Sequence, residues 1–163
     1  MSLDVDIRRA TAEDYGPLCE LFAAVDALHH ASLPHLFQKP NDPVREPAYY
    51  QGLITDENVA LLLADGADKV VGFVHAVIRD TPAIPLLIPQ RYAVVDSLGV
   101  KPELQNRGIG RMLMDAVHDW AFSRGVTTIE LNVYEFNQTE LAFYHKLGYE
   151  SLSRKMRRTL NRE

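Results

Sequence analysis

The 163-residue chain holds a single cysteine, Cys19. One cysteine forms no internal disulfide, so cross-links do not stabilise the fold and nothing asks for an oxidising compartment. Cys19 stands among Leu18, Leu21 and Phe22 and reads as a small apolar side chain. Long apolar runs are missing too. The best candidate, AIPLLIP at 83–89, is broken by Pro85 and Pro89 and falls far short of the roughly 20 residues that span a bilayer. The first residues, MSLDVDIRR, are too charged for a secretory signal. Basic charge is in the minority: 17 Lys and Arg against 22 Asp and Glu give a formal net charge of −5, which argues against a nucleic-acid-binding surface. Arg154, Lys155, Arg157, Arg158 and Arg162 crowd the C-terminus, in a pattern that reads as a solvated strand edge and tail. Together these absences point to a soluble cytoplasmic protein with neither a nucleic-acid nor a membrane partner.

What is present is apolar side chains enough for a core. At 47% hydrophobic residues, positions 1–163 read as one domain, with no internal repeat, low-complexity segment or linker. DVDIRRA (4–10) alternates as a strand does. Thr11 opens a helix, with Asp14 as a reciprocal cap, and Leu18, Leu21, Phe22 and Val25 follow at helical spacing to about Leu28. HHASLPHLFQKPNDPVREP (29–47) reads as irregular or briefly helical, and 48–55 as a short helix. VALLLAD (59–65) and KVVGFVHAVI (69–78) form a hairpin across a GAD turn. A proline-punctuated loop, DTPAIPLLIPQ (80–90), leads to the strand RYAVVDSLGV (91–100), where Gly99 hints at a bulge. A helix then runs to Arg124, capped by Gly125, with Ile109, Leu113, Ala116, Val117, Trp120 and Ala121 on one face. A strand over 127–134, a helix over 139–147 and a final strand over 149–160 complete a β-α-α-β-β-β-α-β-α-β order: a mixed sheet with helices packed on it.

The start of the 105–124 helix, QNRGIGRML, is unusual because glycine weakens a helix interior by about 1 kcal/mol. A helix N-terminus presents unpaired N–H groups and partial positive charge, and glycines let an anion approach them closely. Two nucleotide motifs fail here. The dinucleotide fingerprint lacks its first and third glycines in register and would follow the first strand. The Walker pattern needs a lysine after Gly110, where Arg111 stands.

The segment LGVKPELQNRGIGRMLM (98–114), with NVYEFNQTELAFYHKLGY (132–149) behind it, resembles the GCN5-related N-acetyltransferase (GNAT) family. Val100-Lys101-Pro102, then Gln105-x-x-Gly108-x-Gly110, follow that family's order and spacing, with glutamine at 105 where arginine is commoner. Asn137, Ala142, Tyr144, Gly148 and Tyr149 fit its later pattern. The resemblance covers residues 3–158 and is specific over 91–149. It implies an α/β fold of the α+β kind: a mixed, mostly antiparallel sheet of six or seven strands, flanked by about four helices and splayed between the fourth and fifth strands. It also implies an acetyl-CoA site. The backbone amides of Asn106, Arg107, Gly108, Ile109, Gly110 and Arg111 would cradle the pyrophosphate, with Arg107 and Arg111 adding charge. Leu98, Gly99 and Val100 would pair with the pantetheine arm, and Gln105 and Asn137 complete the cofactor-binding set.

Acetyl transfer to an amine needs a neutral amine, a stabilised oxyanion and a protonated leaving thiolate. The resemblance gives the thiolate's proton to Tyr144 and the oxyanion to the Val100 N–H. For the base, Asp96 lies four residues before Val100, so alternation sends both to one face. His75 on the neighbouring strand is the rival. The resemblance points the acceptor pocket to His29, His30, His35, Leu36 and Phe37 and to the 80–90 loop, with His75 as a further contact. The three histidines of HHASLPH match no standard zinc spacing, so no metal is expected. Ile84, Leu86, Leu87 and Ile88 offer a homodimer surface. The expected activity is acetyl-CoA-dependent N-acetylation of a small-molecule amine or a protein amine; the other class is a non-catalytic acyl-CoA sensor.

Overall fold

The computed structural model describes residues 4–39 and 45–162. Positions 1–3 of the charged start and 40–44 of the proline-rich stretch lie outside the described residues. The chain forms two compact units, Met1–Asn132 and Val133–Glu163.

In the first unit, β1 (Val5–Arg9), β2 (Val59–Gly66), β3 (Lys69–Asp80) and β4 (Arg91–Val100) pair antiparallel in succession, and β5 (Ile129–Leu131) joins β4 in parallel. Side chains alternate across this sheet, so each strand feeds two cores. Phe73 packs with Leu18 and Phe22 of helix α1 (Tyr15–Ser32) and with Tyr50 of helix α2 (Pro47–Thr55). Five residues along β3, Ile78 packs on the other face with Ala121 of helix α3 (Ile109–Ser123). Helix α3 is amphipathic as its spacing requires, burying Ile109, Leu113, Met114, Val117 and Ala121.

The expected reciprocal cap is present at the start of α1. The Thr11 N–H donates to Asp14 Oδ2 at 2.8 Å, across a single 3-10 turn over Ala12–Asp14. Asp14 also accepts two 2.8 Å bonds from Arg8, whose Nε reaches Asp65 at 2.8 Å. That guanidinium holds the Asp14 carboxyl down to about 2 and ties β1, β2 and α1 together.

Four expectations change. Helix α1 runs on to Ser32, four residues past Leu28, so His29 and His30 are helical. The 105–124 helix begins only at Ile109, and the 127–134 strand contracts to Ile129–Leu131. Among the described residues the final strand over 149–160 does not form, and the sheet has five strands where six or seven were expected. Leu152, Met156 and Leu160 there are exposed. Alternation supplies a strand's pattern, but a ladder also needs a partner's N–H and C=O groups.

The second unit holds α4 (Gln138–Lys146), ended by Gly148 in the left-handed region at φ +93°. Around it, Tyr144 packs on Phe143 and Tyr149, with ring centroids 5.1 and 5.6 Å apart.

Candidate functional site

The site begins with the register of β4. Between β3 and β4 the pairing steps from Ala76↔Val95 to His75↔Ser97, so Asp96 is an extra residue, a β-bulge. The sequence put the bulge at Gly99; the register puts it three residues earlier. Gly99 is small for another reason. A Cβ there would lie 2.7 Å from Phe73 Cε1 and 2.9 Å from Val25 Cγ2, so glycine lets α1 close onto the strand end.

The bulge inverts everything after it. The Lys101 N–H donates to Val71 O at 2.9 Å, so odd positions beyond the bulge turn their backbone groups to β3. Leu98 and Val100 therefore turn theirs away, towards the side where β5 would run. There β5 has already ended: its pairing with β4 stops at Val95↔Leu131. Where a splay between the fourth and fifth strands was expected, β5 ends, and among the described residues no strand pairs with this length of β4 on that side. The inversion also corrects the alternation argument. Asp96 shares the α1 face with His75, while the side chains of Leu98 and Val100 point to the α3 face, as Gly72 does.

Beyond Val100 the chain turns through a 3-10 segment, Pro102–Leu104, into the glycine-rich loop. Asn106 and Gly108 both lie in the left-handed region, at φ +63° and +87°. Asparagine and glycine are the residues that enter it at least cost. Gly108 caps α3, whose first helical bond runs from the Met112 N–H to Gly108 O at 3.0 Å. The amides of Ile109, Gly110 and Arg111 therefore have no partner within the helix and face its N-terminal end. A backbone so arranged suits an anion. Arg107 is exposed, and Arg111 lies 4.0 Å from Asp115 one turn on. The Gln105 side chain is engaged elsewhere: its Nε2 donates to Val100 O at 3.1 Å.

On the α1 face, Asp96 Oδ2 lies 4.0 Å from His75 Nε2 and 3.8 Å from Arg79 Nη2. The two base candidates are thus neighbours, with Asp96 the more open: its side chain is 35% exposed and that of His75 13%. Burial pushes the His75 imidazole below its ordinary value; Asp96 opposes that shift, and Arg45 and Arg79 add to it. Arg45 itself bonds Asp26 at 2.8 Å and lies over the Phe22 ring. Sequence reading missed Arg79 and Arg45. Arg79 was within reach, because strand alternation puts it two steps along the face from His75. Arg45 was not, because it follows an irregular stretch.

Tyr144 and Asn137 belong to the second unit. Tyr144 is buried, which together with Glu140 pushes its phenol far above the ordinary value. Asn137 caps α4 reciprocally with Glu140: its Oδ1 accepts the Glu140 N–H at 3.2 Å, and its Nδ2 donates to Glu140 Oε2 at 2.7 Å. Its side chain thus has a structural duty, which the family pattern does not reveal.

The histidines of 29–35 have separate tasks. His30 Nδ1 lies 2.8 Å from Phe37 O, and the His29 ring is 5.0 Å from the Phe37 ring, so this corner is folded back on the end of α1. Among the described residues no three His, Cys, Asp or Glu side chains gather as a metal would need, and no helix is long and apolar enough to cross a membrane.

Comparison with known proteins agrees with this architecture. The model of the acetyltransferase (GNAT) family matches residues 22–149. A [ribosomal protein bS18]-alanine N-acetyltransferase of Salmonella typhimurium is 39% identical over 57 residues, 35% of this chain and 38% of its own length. The chain spans less than half the length of the curated relatives it matches. Among solved structures, a mutant of the BH1408 protein from Bacillus halodurans superposes with a TM-score of 0.90 at 28% identity, covering 96% of this chain and 99% of that one. An aminoglycoside N-acetyltransferase, AAC(6')-Iy, in complex with CoA shares the fold at 17% identity and a TM-score of 0.72, covering 96% and 99%.

Proposed function

This chain belongs to the acetyltransferase (GNAT) family, and from that premise we propose that it transfers the acetyl group of acetyl-CoA to a primary amine by direct attack, with a small molecule as acceptor. The carrying observation is the open edge of β4 after the Asp96 bulge, running into the left-handed turns that open α3. An amide-rich arm can pair with Leu98 as an added strand, which leaves the Val100 N–H for the reacting carbonyl. The diphosphate at its far end meets the amides of residues 106–111.

In the reaction the amine nitrogen attacks the thioester carbon, forming the C–N bond. The carbonyl oxygen becomes an oxyanion, which the Val100 N–H stabilises from a fixed backbone position. Asp96 accepts the amine proton, being the more open of the two bases and turned to the α1 face. Collapse breaks the C–S bond and expels the thiolate. Tyr144 serves that thiolate. Its raised pKa keeps the phenol protonated at any working pH. An ordinary thiol has a pKa of about 8.5, so the phenol acts by hydrogen-bonding the thiolate rather than by complete proton loss.

A protein amine is the second reading, favoured by the protein acceptor in the Salmonella relative's name. Thiol release from acetyl-CoA across polyamines, aminoglycosides, amino acids and basic peptides, against an amine-free control, tests both. Release with a small amine is the expected result, and release with peptides alone selects the second reading. Binding of acetyl-CoA with no release for any amine would mark a sensor that kept the fold.

A further inference from the structure

The Val100 carbonyl has an uncommon arrangement for a strand end. The bulge turns it away from β3, and no β5 partner reaches that far. Its acceptor need is met by the Gln105 side chain, at 3.1 Å. The loop between them is shaped for this. The Leu104 N–H donates to Lys101 O at 2.9 Å and the Gln105 N–H to Pro102 O at 3.3 Å, curling the chain back on itself. The peptide unit joining Val100 to Lys101 is therefore held at both ends. Its C=O takes the Gln105 bond, and its N–H gives the 2.9 Å bond to Val71 O. The Val100 N–H belongs to the preceding peptide unit, whose C=O, on Gly99, faces β3 in the Phe73↔Gly99 pair. With one plane held by β3 and the next by Gln105, the turn of the chain at Val100 is set between them.

We propose that Gln105 is a positioning residue for catalysis: it clamps the Val100 peptide so that the Val100 N–H points where the oxyanion forms, and it is not a phosphate ligand. The inference rests on the transferase reading above, and it reassigns a side chain that the sequence pattern places with the cofactor. One of the two Nε2 hydrogens is committed to the Val100 carbonyl, and that bond holds the amide at the strand end. The glycine loop and the strand end thereby form one device, so the anion-binding turn and the oxyanion donor keep their relative geometry.

The test separates the two roles by the donor substrate. Gln105→Met keeps length and removes the donor; Gln105→Arg restores one. Each chain is assayed with acetyl-CoA and with acetyl-pantetheine, which has no phosphates, and CoA affinity is measured by titration. The clamp predicts that Gln105→Met lowers kcat about tenfold with both donors, the order of one lost hydrogen bond, while the CoA Kd stays within twofold. Gln105→Arg recovers most of kcat with both. A loss seen with acetyl-CoA alone and carried by Kd makes Gln105 a phosphate ligand and overturns the proposal, as does an unchanged kcat. The amide spectrum of the ligand-free protein gives a readout that needs no turnover. In Gln105→Met the Val100 and Lys101 resonances shift and their hydrogens exchange faster, whereas unchanged resonances overturn the clamp. If the wild-type chain releases no thiol with any amine, the transferase reading fails by itself, and the spectrum still decides whether Gln105 holds the peptide.

Discussion

Along Arg91–Val95, β4 runs between two strands; along Asp96–Val100 it has β3 on one side and, among the described residues, no strand on the other. The first half contributes Ala93, Val94 and Val95 to the core, all under 9% exposed. The second half alternates no more tightly than half-buried, and its outward backbone is available to a ligand. One inserted residue separates the two. The comparison shows how a single strand serves as scaffold and as site: rigidity comes from the paired half, and the bulge turns the other half's backbone outward without a change of element.

The largest effect that sharpens this contrast is on activity. Asp96→Asn should lower kcat/KM at neutral pH by roughly 100-fold or more, the usual range for a lost general base, and should flatten the acidic limb of the pH–rate profile. Its denaturation midpoint should move little, because an exposed polar change is worth about 0.5 kcal/mol or less. Val95→Ala, one residue away on the paired half, should do the reverse: a stability loss of about 2 kcal/mol from two buried methyl groups, with kcat per folded molecule unchanged. A wild-type pH–rate profile in Asp96→Asn would break the contrast.

Gly99→Ala tests both halves at once, since the added methyl meets Phe73 and Val25 at under 3 Å. Overpacking of this kind costs about 1–3 kcal/mol. Relief by displacement of the strand end should also lower kcat, which urea titration and turnover together would reveal. Unchanged stability would mean that α1 does not rest on the strand as described.

Gly108→Ala probes the left-handed turn that opens α3. Space is not the obstacle there, because a Cβ would meet nothing within 4 Å; the obstacle is φ +87°. A cost of about 1 kcal/mol and a several-fold weaker CoA affinity are expected, both read by titration of the variant. Gly52→Ala in α2 is the control, with equal space and no positive φ, and should stabilise by roughly 0.5–1 kcal/mol.

How much of this was legible follows from where each signal is stored. The glycine pattern at 105–110 announced the start of α3 because a left-handed cap demands a specific residue, and the demand is local. The Thr11 and Asp14 cap was readable for the same reason. The bulge was not. Gly99 is a conspicuous letter, whereas a bulge is a property of register, set jointly by two strands 20 residues apart. The alternation argument that put Asp96 and Val100 on one face failed with it, since one extra residue reverses every later side chain. The final strand was lost because its pattern is local and its partner is not. Asn137 and Gln105 fit the sequence pattern, but their side chains are committed to Glu140 and Val100, contacts that no spacing rule encodes.

The smallest expected effect concerns the charge beside the bulge. Burial holds the folded-state pKa of His75 below its ordinary value of 6.5. The unfolded chain therefore binds this proton more readily than the folded one. Stability from this source is fully present above the ordinary value and is lost as pH falls below it towards the folded-state value. Asp96 lessens the penalty by stabilising the imidazolium, so the two halves of the site are coupled through it. Urea midpoints measured from pH 7.5 down to 5 should fall less steeply in His75→Gln than in the wild type, and more steeply in Asp96→Asn, where that support is gone. Parallel slopes in all three chains would mean that His75 is not held in a desolvated position behind Asp96, and the arrangement of the α1 face at the bulge would have to be redrawn.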